Sequence, residues 1–276
     1  MASSWPSTFG AVEQIRIHAT QIGDDGARIV FLHGLFGQGK NFTRIAKSLT
    51  PQFTSLLVDL PNHGRSDWTE QVDYVDLADR VGQFLRDGFA ADGPVHVVGH
   101  SMGGKVAMVL ALRHPDLVDR LVVADIAPRH SESAGQFEHL LDSLKSLDLS
   151  RIRRRGEADE QLKPMVPDDT VRGFLLQNLR STPDGFRWQA NLELLRDSLI
   201  PIAGFPHIDA TFDHPVLWLA GERSDYITDQ DRPEMERLFP RMTYVVIKNA
   251  GHWLHSEQPE AFTSALRVFL STDRWN

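Results

Sequence analysis

The sequence predicts an α/β protein: a doubly wound, mostly parallel sheet with a helical cap inserted in its second half. Three observations carry that expectation. From Ala27 to Ala127, short apolar runs alternate with helix-compatible runs, the pattern of repeated strand–helix–strand units. Between His130 and Pro206 no convincing strand can be read, and helical runs take over. Strand signals return at Pro215 and again at Met242. The 276 residues suit one such core with an insertion. The expected division is 1–128 and 207–276 for the core and 129–206 for the cap.

Taken in order, Val12 to Thr20 alternates in part and reads as an edge strand, followed by the turn signal Gly23-Asp-Asp-Gly26. Ala27–Leu32 is a buried strand that ends in the Gly-rich loop His33-Gly-Leu-Phe-Gly37. Asn41 to Leu49 reads as a short helix with Pro51 beyond its end. Thr54–Asp59 is the next strand, and Leu60–Ser66 a loop. Leu77, Val81, Phe84 and Leu85 give Tyr74–Phe89 helical spacing. A strand from Val95 to Gly99, a helix over Lys105–Arg113 and a strand over Arg120–Ala127 follow. In the insertion, helices are expected at Gln136–Leu147, Asp159–Met165, Asp169–Leu179 and Asn191–Leu199, punctuated by Pro164, Pro167, Pro183 and Pro201. Pro215–Gly221 and Met242–Ile247 read as strands, and Pro259–Leu270 as an amphipathic helix with proline in its first turn.

Bulk properties narrow the function classes. A chain that is 41% hydrophobic and 24% charged is globular in balance. A formal net charge of −8 argues against non-specific binding to nucleic acid or anionic membrane. With no cysteine there is no disulfide, thiol nucleophile or Cys-ligated metal. No apolar run approaches the ~18 residues of a membrane span, and the first ten residues lack a signal-like apolar stretch. The expectation is a soluble, cytoplasmic protein.

Gly99-His-Ser101-Met-Gly103 joins the strand Val95–Gly99 to the following helix. That is the nucleophile-elbow pattern in the strand–turn–helix context it requires. A serine on so tight a turn projects its Oγ at the sheet's carboxyl edge, so the flanking positions must be small. The helix aims its free N–H groups and positive dipole end at the same point. The N–H of Met102 is one expected oxyanion donor, and that of Leu35, in the loop after the earlier strand, the second. Of the twelve histidines, His252 is the best-placed base. It follows the last strand in Asn249-Ala-Gly-His252-Trp253, and Gly251 permits a tight return.

Three rival patterns need weighing. Gly34-Leu-Phe-Gly-Gln-Gly39-Lys40 satisfies seven positions of a phosphate-binding P-loop, with Asp59 at a Walker-B-like strand end. The eighth position is Asn41, so the Mg²⁺-binding hydroxyl is missing. His252 and His255 could suggest a metal pair, but no H-E-x-x-H frame accompanies them and no metal is expected. Arg151-Ile-Arg-Arg-Arg155 reads as a solvated face paired with Glu157 and Asp159, or more sharply as a grip on an anionic substrate tail.

Together these residues resemble the α/β-hydrolase superfamily over nearly the whole chain: His33–Gly37, Gly99–Gly104 and Gly251-His-Trp253 stand in the family's order. Finer stretches are similar to the YbfF-type esterases, a group of abhydrolase-domain proteins: Asp59–Ser66, Gly99–Lys105, Val123–Pro128 and Gly251–His255. The resemblance implies a carboxylesterase or thioesterase with a helical cap over a Ser–His–Asp site, a small-molecule ester or thioester substrate, and no cofactor. Phe36, Phe174, Trp188 and Trp253 are candidates for the substrate pocket. Ser101 disfavours the relatives of this fold that carry Asp at the elbow. Cofactor-free perhydrolase or haloperoxidase activity, carbon–carbon bond hydrolysis, and a non-enzymatic ligand receptor on the same scaffold remain as alternatives.

The acid has two candidates. The commoner slot in this fold is Gly-x-x-Asp after the strand Val216–Ala220. Here it reads Gly221-Glu-Arg-Ser224-Asp225, so Ser224 holds the slot and Asp225 stands one residue late. Asp125 ends the strand after the elbow helix. The YbfF-type resemblance carries an acid there and Ser at position 224, which favours Asp125, with Ser224 as a possible partner in the network.

Overall fold

A computed structural model describes residues 15–129 and 135–271. Seven strands form one sheet in the order β1-β3-β2-β4-β5-β8-β9. They are β1 (Ala19–Ile22), β2 (Ala27–Leu32), β3 (Phe53–Val58), β4 (Val95–His100), β5 (Val118–Ala124), β8 (Val216–Gly221) and β9 (Met242–Ile247). Among the described residues only β1 runs antiparallel in this sheet, at the edge against β3; the other pairings are parallel. Strands buried on both faces must alternate between two cores, and β2 does: Val30 and Leu32 join one cluster, Ile29 and Phe31 the other.

Helices cover both faces. Apolar positions of α2 (Tyr74–Arg86) and α3 (Met102–Arg113) fill the first cluster, and those of α1 (Thr43–Leu49) and α11 (Pro259–Leu270) fill the second. α9 (Arg232–Leu238) joins the first through Met235 and Leu238. α3 is buried from Met102 to Leu112, Lys105 included. Wound both ways about a parallel sheet, the chain has the α/β-hydrolase fold. Among the described residues no helix is long and apolar enough to cross a membrane.

One expectation shifts here. The edge strand begins at Ala19, not Val12; residues 12–14 lie outside the described range. It forms only where the chain meets β3, with Ala19 opposite Val58 and Ile22 opposite Ser55. Residues 130–134, just past the expected cap start at 129, likewise lie outside that range.

The segment between β5 and β8 carries α4 (Gly135–Lys145), α5 (Arg155–Leu162), α6 (Asp169–Leu176), α7 (Leu192–Asp197) and α8 (Leu199–Ala203). It is not wholly helical: β6 (Leu179–Thr182) and β7 (Gly185–Trp188) form a hairpin. α6 stops at Leu176 because Gln177 and Asn178 turn their amides onto the carbonyl of Phe36. Pro183 then lacks an N–H, and Gly185 sits at φ 124°, a turn that no helix permits. The segment docks on the loops that follow β2 and β3, through Asn178 to Phe36 and the N–H of Asn191 to the carbonyl of Asn62 (2.9 Å). Those loops lie at the carboxyl edge, where open α/β sheets carry their sites.

Candidate active site

β4 ends at His100, and Ser101 occupies the junction with α3 at φ 53° and ψ −121°. A non-glycine residue there is strained, and its surroundings hold it. A Cβ on Gly99 would lie 2.3 Å from the carbonyl oxygen of Gly103, and one on Gly103 2.3 Å from that of Leu32. Only glycine lets strand, turn and helix approach so closely. The N–H of Ser101 donates to the carbonyl of Ala124 on the adjacent strand (3.0 Å).

Asp125 ends the next strand in the same manner, at φ 53°. Its carboxylate is wholly buried and answered on each oxygen. Oδ1 accepts the N–H of Gly221 at 2.9 Å; Oδ2 accepts His252 Nδ1–H at 2.8 Å and the hydroxyl of Ser224. The other imidazole nitrogen, Nε2, faces Ser101 Oγ at 2.9 Å. A carboxylate only accepts, so it fixes the proton on Nδ1 and leaves Nε2 to accept the hydrogen bond of the Ser101 hydroxyl. Asp225 lies elsewhere, lining the larger of two spaces beside Ser101.

The remaining sequence candidates fall into place around this line. Met102 opens α3, so its N–H has no acceptor within the helix. Gly34 to Gly37 is a turn closed by an N–H to carbonyl bond of 2.9 Å, with Leu35 and Phe36 at its centre and Phe36 at φ 63°. A Cβ at Gly34 would sit 3.1 Å from Ser101 Cβ, so this turn lies directly against the serine. Asn178 from the inserted segment donates to the Phe36 carbonyl at 2.8 Å and steadies it.

Two spaces adjoin Ser101. One is a slot of about 20 Å³, walled by Phe36, Phe137, Leu140, Phe174 and Trp253. Phe174 and Trp253, centroids 6.1 Å apart, line both this slot and an outer groove of about 390 Å³. The other is a chamber of about 320 Å³ lined by Leu35, Met102, Ile126, Ile202, Lys105 and Tyr226, among others. Trp188 lies on β7 and packs against the core cluster; it is not among the residues lining either space.

Several supporting residues escaped the sequence reading. His100 Nε2 donates to the carbonyl of His252 at 2.7 Å, fixing the loop that carries this imidazole. Tyr226 stacks on the His252 ring. His33 donates from Nδ1 to the Gly34 carbonyl (2.8 Å) and accepts the Leu60 N–H on Nε2 (2.9 Å), joining two loops at the sheet edge. That pair of bonds needs the neutral ring, and burial pushes its pKa down to about 4. Lys105 Nζ donates to the carbonyls of Ile202, Ala203 and Gly204, tying α3 to the end of α8. Burial lowers its pKa to about 7. His33, His100 and Lys105 stand inside the loop and elbow motifs, but a motif does not say which side-chain contacts its members make.

The P-loop reading does not survive the geometry. The carboxylate of Asp59 accepts the N–H of Gly39 (2.7 Å) and that of Arg65 (2.9 Å), so it braces the loop from within.

Residues 29–265 match the alpha/beta hydrolase family. A protein of Danio rerio named sn-1-specific diacylglycerol lipase ABHD11 is 39% identical over 252 residues, covering 89% of this chain and 79% of that one. Esterase YbfF of Escherichia coli is 33% identical over 263 residues, covering 93% and 98%. The solved structure of a marine microorganism esterase superposes with a TM-score of 0.89 at 36% identity, covering 92% and 99%. Sheet order, strained serine turn and sequence likeness agree, and the chain belongs to the alpha/beta hydrolase family.

Proposed function

We propose that this enzyme cleaves ester bonds through an acyl-enzyme on Ser101 Oγ. The observation that carries the reading is the continuous line of hydrogen bonds from Ser101 Oγ through His252 to the buried carboxylate of Asp125. His252 Nε2 takes the hydroxyl proton as Oγ attacks the carbonyl carbon. The imidazolium that forms is stabilised by Asp125, which keeps its own charge. The N–H groups of Met102 and Leu35 meet the oxyanion. His252 then gives its proton to the leaving alkoxide. In the second half it draws a proton from water, hydroxide adds to the acyl carbonyl, and the acid leaves as Ser101 recovers its proton.

The substrates are esters of apolar acyl groups. The aromatic and aliphatic walls beside Ser101 support this, as do the names of the relatives, esterase and diacylglycerol lipase. Thioesters are within reach of the same chemistry. Residues 129–206 act as the cap, closing the carboxyl edge over the nucleophile.

A fluorophosphonate probe tests the reading. Folded protein labels stoichiometrically at Ser101. Ser101→Ala neither labels nor hydrolyses p-nitrophenyl esters, a loss of about 10⁴-fold or more, with an unchanged fold. Hydrolysis retained in a clean Ser101→Ala preparation refutes it.

A further inference from the structure

A second cleft of about 320 Å³ lies at the seam between the core and the inserted segment, on the far side of the amide cluster of Gln38, Asn41, Gln177 and Asn178 from the serine slot. It gathers two features that ester hydrolysis leaves unused. Lys40 comes from the P-loop-like stretch, and Arg155 from the basic run. Arg65 and Arg180 line the cleft with them, and among the described residues Asp59 is its one carboxylate.

That carboxylate is already engaged by the backbone N–H groups of Gly39 and Arg65. Arg155 spends part of its guanidinium on the carbonyls of Leu176 and Leu179, and so stays fixed at the cleft wall. It does not pair with Asp159, which binds Arg172 instead. Desolvation lowers the Lys40 pKa; Asp59 opposes that shift, and the neighbouring Arg155 and Arg65 add to it. On the hairpin, Arg180 stands directly opposite Arg187, and like charges in that relation destabilise a strand pair. A chain of net charge −8 thus concentrates cations in one concave place. Uncompensated, that arrangement costs stability; an anion reverses the sign.

We infer that this seam cleft is a binding site for a phosphate ester, held by Lys40 and Arg65 from the core and by Arg155 and Arg180 from the inserted segment. Guanidinium groups match phosphate oxygens in pairs, and a lysine adds a point charge. A ligand held by both layers joins them across the seam. The phosphate can belong to a separate small molecule or to a tail of the substrate itself.

Inorganic pyrophosphate is the probe, titrated calorimetrically into the intact protein at about 0.15 M salt, where long-range attraction is screened. The expected result is saturable 1:1 binding and a raised Tm. Lys40→Gln with Arg180→Gln weakens it at least ten-fold; both side chains are exposed, so the fold is retained. Arg151→Gln with Arg153→Gln removes the same charge outside the cleft and leaves binding unchanged. No saturable binding, or equal weakening in the two double variants, overturns the site.

A kinetic arm, which alone rests on the ester-hydrolase reading, separates the two sources. If the phosphate is a substrate tail, Lys40→Gln with Arg180→Gln raises KM for a 1-acylglycerol 3-phosphate but not for the corresponding 1-acylglycerol. If it is a separate ligand, both KM values hold while pyrophosphate binding is lost.

Discussion

The phenol ring of Tyr226 lies flat on the imidazole of His252, with centroids 3.8 Å apart and planes 18° apart. Asp125 fixes the base at Nδ1 and His100 holds its backbone carbonyl, but neither stops the ring from tilting. Tyr226 does. Its stacked face also favours the imidazolium that forms after proton transfer. Tyr226→Phe is therefore expected to keep nearly full kcat. Tyr226→Ala loses on the order of ten- to a hundred-fold, the cost of a slightly misplaced base. Equal kcat values for the two variants count against the stack.

The acid is tested by comparing two carboxylates. Asp125→Asn leaves an amide facing His252 Nδ1 and is expected to cost about 10⁴-fold in kcat by favouring the wrong tautomer. Asp225→Asn, on the chamber wall, costs less than ten-fold. Ser224→Ala removes one donor to Oδ2 while Gly221 and His252 remain, so its effect lies between them. A crippled Asp225→Asn beside an active Asp125→Asn reverses the assignment.

How much of this was legible in the sequence differs by level. Strands such as the buried Ala27–Leu32 and the edge strand Met242–Ile247 show their ends because apolar runs stop at turn residues. The glycines around Ser101 were readable because only glycine fits where backbones meet. The hairpin Leu179–Trp188 was not: four-residue strands carry too little periodicity, and what ends α6 is a tertiary contact of Gln177 and Asn178. Asp125 needed the family resemblance, because a strand-end acid looks alike whether it faces a histidine or solvent. His100 stands in the elbow motif and Tyr226 in no motif, but the contact each makes depends on which loops lie side by side.

Buried histidines make the protein acid-sensitive. Burial pushes His33 down to about 4, and His63 and His255 to about 3, with the nearby His33 contributing at His63 and His252 at His255. In the unfolded chain histidines titrate near 6.5. Below that pH the unfolded state takes up protons that the folded state refuses, so stability is intact above about 6.5 and falls as pH drops towards 4. Each such histidine contributes a slope of up to about 1.4 kcal/mol per pH unit. Urea unfolding at about pH 7.5 and pH 5.5 should show the fall, and His255→Gln should reduce the slope by about one proton. A flat profile would mean that these rings accept protons while folded.

The last prediction concerns chain length. Phe174 and Trp253 line both the narrow slot and the outer groove. Removing the Phe174 ring joins about 20 Å³ to about 390 Å³ without touching Ser101. Phe174→Ala is expected to move the optimum towards longer chains in one of two substrate series, esters graded on the acyl side or on the alcohol side. The series that responds identifies which half of the ester occupies the slot. Trp188 was the other aromatic candidate from sequence, but it packs on β7 against the core. Trp188→Ala should lower Tm through the lost packing, typically by about 3–5 kcal/mol of stability for a fully buried ring and less for this half-buried one, and leave the chain-length profile where it was. A profile that moves with Trp188 and not with Phe174 would place the substrate on the hairpin side of the inserted segment instead.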